Sequence, residues 1–104
     1  ADKAELRNTT GISGMEEGQA ALYQNIPNPF SQSTQIKYFL PTSVQKAFLC
    51  IYDLNGKQLK QYQLAERGEG RQQILGNEFA AGIYLYALIA DGQEVEVKKM
   101  ILTE

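Results

Sequence analysis

Few residues in this chain could carry chemistry. The 104 residues include no histidine and one cysteine, Cys50. A histidine-based triad, a His/Cys metal cluster and an internal disulfide are therefore excluded, and neither a metal site nor a cofactor is expected. Cys50 sits in an apolar run, Phe48-Leu49-Cys50-Ile51-Tyr52, with no imidazole to ionise its thiol. It reads as a small hydrophobe in a sheet. Gly68-Glu69-Gly70 has the glycines of a phosphate-binding loop, but no helix signal follows and no Lys-Ser/Thr pair closes the motif. Residues 66–70 read instead as a flexible charged loop. Lys98-Lys99-Met100 places two cations on a β-like segment, where lysines either contact a partner or protect an edge from aggregation. Asn8-Thr9-Thr10 matches a glycosylation sequon, a three-residue pattern that chance supplies. The chemistry left to carboxylates, lysines, tyrosines and one thiol forms no placed pair. The expectation is no catalytic residue and no enzyme.

Composition narrows the partners. Ten basic and twelve acidic residues give a net charge of −2, too balanced for a nucleic-acid clamp or a polybasic membrane binder. No apolar run approaches the roughly 18 residues that a spanning helix needs. The opening Ala1-Asp2-Lys3-Ala4-Glu5 lacks a signal peptide's basic and apolar regions, so if the protein is exported its signal must lie upstream of this sequence.

The elements that must position these residues are read from turn chemistry and period-2 alternation. Residues 1–21 are polar and glycine-bearing, with at most a turn or two of helix near the start, and read as a linker or the tail of an upstream region. Leu22-Tyr23-Gln24-Asn25-Ile26-Pro27-Asn28-Pro29-Phe30 then forms a boundary. Pro27 and Pro29 fix φ and lack donors, and the residues before them are pushed toward extended conformations. Leu22, Tyr23, Ile26 and Phe30 are large and apolar, so this strap is expected to lie against a core. Residues 34–40 form a strand candidate with Ile36, Tyr38 and Leu40 inward. Residues 45–53 are apolar on both parities, as a central strand would be. Asp53-Leu54-Asn55-Gly56 is a hairpin signal, and the returning residues 57–64 read as an amphipathic strand near an edge. Residues 71–75 make a short strand, and Gly76-Asn77-Glu78 a turn. Gly82 opens the longest apolar run, Ile83-Tyr84-Leu85-Tyr86-Ala87-Leu88-Ile89, which Asp91-Gly92 ends as a second hairpin. Alternation in this run turns Tyr84, Tyr86 and Leu88 inward and Leu85, Ala87 and Ile89 outward. The last segment, residues 94–102, breaks parity, and a bulge near Lys98-Lys99 would reconcile it. The outward side chains Phe48, Cys50, Tyr52, Leu85 and Ile89 would form one apolar patch, to be covered by the strap or by self-association. Turn signals every 8–14 residues indicate an all-β, immunoglobulin-like sandwich of about seven antiparallel strands, with a small barrel as the alternative.

These segments also carry a resemblance. From Leu22 onward the chain resembles the type A C-terminal sorting domain of cargo for the type IX (Por) secretion system of Bacteroidetes-type bacteria. The strap through Asn25, Pro27, Asn28, Pro29 and Phe30 looks like that family's opening motif, and Thr34-Gln35-Ile36-Lys37-Tyr38-Phe39-Leu40-Pro41 its second. Ile51-Tyr52-Asp53-Leu54-Asn55-Gly56-Lys57 is similar to its central hairpin. The run from Ala81-Gly82 through Tyr84 to Leu88, then Asp91-Gly92, then Lys98-Lys99-Met100-Ile101-Leu102, are similar to its closing motifs. Phe39, Phe48 and Cys50 depart from it, standing where many members have polar residues. The resemblance implies two regions, residues 1–21 and an immunoglobulin-like sorting domain over residues 22–104. It implies recognition by the outer-membrane translocation machinery, an upstream cargo domain, and export through the periplasm to the surface or medium. It offers Lys98, Lys99 and Met100 as recognition residues. A structural or adhesive immunoglobulin-like module is the alternative reading. A carbohydrate-binding domain usually shows a row of exposed aromatics, often Trp, and Trp is absent.

Overall fold

The computed structural model describes residues 18–104. The expected helical turns, the sequon and most of the expected linker lie outside the described residues. Seven strands follow: β1 (Ala21–Leu22), β2 (Ser33–Leu40), β3 (Ala47–Tyr52), β4 (Gln58–Gln63), β5 (Gly68–Leu75), β6 (Gly82–Ala90) and β7 (Gln93–Leu102). One 3-10 turn, Gly76–Glu78, links β5 to β6. The strands form two antiparallel sheets, one ordered β1-β2-β5 and the other β4-β3-β6-β7. The first, second and fifth strands thus share one sheet, as in immunoglobulin domains, while the fourth sits at the edge of the opposite sheet.

Local sequence explains most of this. Ile36, Tyr38 and Leu40 on β2 are buried, as alternation requires. β3 is central, between β4 and β6, and so apolar on both faces. Asp91 (φ 51°) and Gly92 (φ 80°) give the β6–β7 hairpin the two positive φ values of a type I′ turn. The β3–β4 hairpin is built differently. The Gly56 amide donates to the Asp53 carbonyl and Gly56 alone takes a positive φ, so a three-residue turn with a glycine bulge replaces a tight Asn-Gly turn. Asp53 Oδ1 holds this turn by accepting from the Asn55 and Lys57 amides, each at 2.9 Å.

Three expectations are corrected. Residues 68–70 are not loop, because β5 pairs with β2 over its whole length, setting Gly70 opposite Tyr38 and Gly68 opposite Leu40. Gly70 is small because a Cβ there would lie 2.6 Å from the end of the Tyr38 ring. The bulge in β7 is not at Lys98-Lys99. Register shifts where Leu88 faces Glu96 and Ile89 faces Glu94, leaving Val95 as the extra residue. Ala87 points outward but is fully buried, because its cross-strand neighbours Cys50 and Val97 close over so small a side chain.

Tyr84 and Tyr86 do face the core, with Leu88. Tyr84, near the start of the sixth strand, donates its hydroxyl to the Ala80 carbonyl four residues upstream. This is the tyrosine corner of immunoglobulin-type sandwiches. Arg67, which no sequence motif singles out, donates to the carbonyls of Val44, Gln45, Leu64 and Glu66 and ties two loops at one end of the sandwich.

Candidate functional site

The strap and the last strand, 75 residues apart at Gln24 and Lys99, form one structure. Proline's missing donors keep residues 26–30 out of a regular strand, and both X–Pro bonds, Ile26–Pro27 and Asn28–Pro29, are cis. The strap instead runs along the free edge of β7 and satisfies its backbone groups one by one. Gln24 Nε2 donates to the Lys99 carbonyl at 2.6 Å. The Ile101 amide donates to Asn28 Oδ1 at 2.9 Å. The Phe30 amide donates to the Ile101 carbonyl at 2.9 Å, and the Thr103 amide to the Phe30 carbonyl at 2.8 Å. Phe30 and Leu102 form a parallel bridge, and both side chains enter the core.

Asn25 anchors the strap from beneath. Its side chain is buried, and its Nδ2 donates to the Pro27 carbonyl and to Thr34 Oγ1, each at 3.1 Å. Thr34, also buried, donates to the same Pro27 carbonyl at 2.7 Å. Tyr86 completes the network. It accepts from the Asn25 amide and donates to the Tyr23 carbonyl, both at 2.8 Å. Burial, helped by the Glu96 carboxylate and opposed by the Asn25 amide, pushes the Tyr86 phenol up to about 12. Its proton therefore stays on, and the hydroxyl can both donate and accept. No signal in the sequence marks Tyr86 or Thr34 for this role. The partners of the Tyr86 hydroxyl lie more than sixty residues away in the chain, and such partners are not visible in one segment.

The strap's apolar residues divide. Leu22 and Phe30 are buried, whereas Tyr23 is exposed and Ile26 is 75% exposed, although Ile26 is pinned by two hydrogen bonds to Gln35. The expectation that all four face the core is corrected, because backbone pairing to β2 turns Ile26 outward. Lys37 lies 5.2 Å from the Tyr23 ring centroid and forms an ion pair with Glu69 at 3.0 Å.

The three expected recognition residues part company on β7. Met100 faces Tyr84 in register and is fully buried in the core. In the folded domain it offers no surface to a partner. Lys98 lies beside Tyr86 and is held by Glu96 at 3.1 Å. Lys99 projects from the opposite face beside Leu85, exposed and without an ion-pair partner among the described residues. Of the other motif residues, Pro27, Asn28 and Pro29 are exposed on the strap, Asn55 and Gly56 form the first hairpin, and Asp91 and Gly92 the second. Asp91 also braces its hairpin, Oδ1 accepting from the amides of Gln45 and Lys46. Gly82 opens β6 two residues before Tyr84.

Cys50 is buried, and burial pushes its thiol up, which keeps it protonated and unreactive. Among the described residues no three His, Cys, Asp or Glu side chains cluster as metal ligands.

A family model described as a secretion system C-terminal sorting domain matches residues 24–103. No curated protein and no solved structure matches the chain.

Proposed function

The chain belongs to the secretion system C-terminal sorting domain family, that of type IX secretion, and from that membership we propose that it is a non-catalytic recognition module. It directs an attached cargo protein through the periplasm and across the outer membrane, to the surface or the medium. The observation that carries this reading is the joining of the family's opening and closing motifs. Residues 24–30 and 99–103 are hydrogen-bonded into a single face. A translocation receptor reading that face would sense both ends of the domain at once, and so would accept the folded sandwich and reject an unfolded chain. Among the described residues Lys99 is the β7 cation without an ion-pair partner, since Glu96 neutralises Lys98.

The test is a reporter carrying residues 22–104 and an export signal, expressed in a host with type IX machinery. Wild-type fusion should appear outside the cell. Lys98→Ala with Lys99→Ala should leave the fold intact, because such surface changes typically alter stability by no more than about 0.5 kcal/mol. The double variant should accumulate in the periplasm, and Lys99→Ala alone should account for most of the loss. Wild-type fusion retained in the periplasm would sink the sorting role and favour an adhesive module.

A further inference from the structure

The outer face of the four-stranded sheet is apolar on its two central strands, β3 and β6, where Phe48, Tyr52, Leu85 and Ile89 are half-buried and Cys50 and Ala87 buried. In register, Phe48 lies beside Ile89, Cys50 beside Ala87 and Tyr52 beside Leu85. β7 extends the rows, with Glu94 beside Ile89, Val97 beside Ala87 and Lys99 beside Leu85. Val97 is 42% exposed. β4 adds Gln63 and Gln61 beside Phe48 and Cys50 as a polar rim. The strap does not cover this face, because it packs on the β7 edge and β1 belongs to the other sheet.

The pattern of charge and size is self-complementary. Glu94 and Lys99 stand at opposite ends of the β7 margin, about 14 Å apart along the strand, and neither has an ion-pair partner among the described residues. The row midway between them holds the small residues Cys50 and Ala87. Consider a two-fold axis lying between two such faces and crossing the strands at that middle row. It stacks β7 antiparallel on β7 of a second copy, sets Phe48 and Ile89 against Tyr52 and Leu85, and brings each Glu94 to the other copy's Lys99. Isologous contacts are the commonest way that identical chains close on themselves.

We propose that this face is a homodimer interface, a second copy of the chain being its occupant. The inference does not rest on the sorting role, although both draw on Lys99. Three strands about 4.8 Å apart over about 20 Å give roughly 300 Å² of face in projection. That is below the ~800 Å² per partner of a standard interface, so the dimer belongs to the weak, concentration-dependent class. Residues 1–17 are a poorer occupant, since the described chain enters on the opposite sheet and their large apolar side chains are only Leu6, Ile12 and Met15.

The experiment is sedimentation velocity of the full 104-residue chain from about 10 µM to about 1 mM, the range where weak association shows. The wild type should pass from monomer toward dimer. Val97→Lys should remove the dimer while thermal unfolding stays unchanged. Glu94→Lys and Lys99→Glu should each weaken association by about tenfold or more, and the double charge swap should restore it. A chain monomeric throughout would overturn the proposal. So would a dimer indifferent to Val97→Lys and to the swaps, or one that forms only after residues 1–17 are removed, which would make that segment the cover.

Discussion

At the scale of single residues, Tyr86 does the most. It is fully buried, and its hydroxyl is the partner of both Asn25 and Tyr23, so one phenol holds the strap to the core of the four-stranded sheet. Tyr86→Phe keeps the ring but leaves a buried amide without an acceptor, and should cost about 1–3 kcal/mol by denaturant unfolding. The same residue sets an alkaline limit. Its pKa is raised from 10.0 to about 12 in the folded state. The stability tied to the neutral phenol is complete below pH 10 and lost as pH rises through about 12. A rise of that size corresponds to about 3 kcal/mol. Tyr38 and Tyr62 are also pushed up by burial and add to the loss. Stability measured between about pH 9 and about pH 12 should therefore fall less steeply in Tyr86→Phe than in wild type. An identical slope would mean that Tyr86 is not the group that titrates.

Between elements, the strap acts as a discontinuous eighth strand for the β7 edge. An edge strand presents unpaired amides and carbonyls that invite other chains. Here Gln24, Asn28 and Phe30 occupy those groups at Lys99 and Ile101, two of the three by side chains rather than backbone. That solution suits a proline-rich segment, which cannot supply a regular ladder. Asn28→Ala removes the acceptor of the Ile101 amide. Because the site is solvent-accessible, the expected stability loss is only about 0.5–1.5 kcal/mol. Exchange of the Ile101 amide with solvent should nevertheless accelerate strongly, with the amides of the β6–β7 hairpin unaffected. Equal acceleration throughout β7 would mean that the strap governs the whole strand.

On the scale of the whole molecule, the strap belongs to the fold. Leu22, Asn25 and Phe30 are all buried, and Leu22 and Phe30 are part of the one core shared by both sheets. Removing the Phe30 ring alone should cost about 3–5 kcal/mol, a large share of the roughly 5–15 kcal/mol that holds a typical domain together. A fragment of residues 31–104 should accordingly lose its cooperative thermal transition and its near-ultraviolet dichroism. A sharp transition in that fragment would show that the six strands β2–β7 close a core without β1 and the strap.

What the sequence determined by itself was local. Alternation put Ile36, Tyr38, Leu40, Tyr84, Tyr86 and Leu88 inward, and Asp91-Gly92 set a two-residue hairpin, because a strand's period and a turn's φ values depend only on neighbouring residues. The same alternation separates Lys98 from Lys99, adjacent residues that must point to opposite faces. Tertiary structure decided what depends on distant partners. Pairing with β2 made residues 68–70 strand, with Gly70 leaving room for the Tyr38 ring, and pairing with Gln35 turned Ile26 outward. Neighbours on two other strands buried Ala87 on an outward face, and the β6–β7 register moved the bulge to Val95. The strap's junction with β7 belongs to this second group. Its hydrogen bonds join residues more than seventy positions apart, and they exist only once both sheets have closed around Phe30 and Leu102.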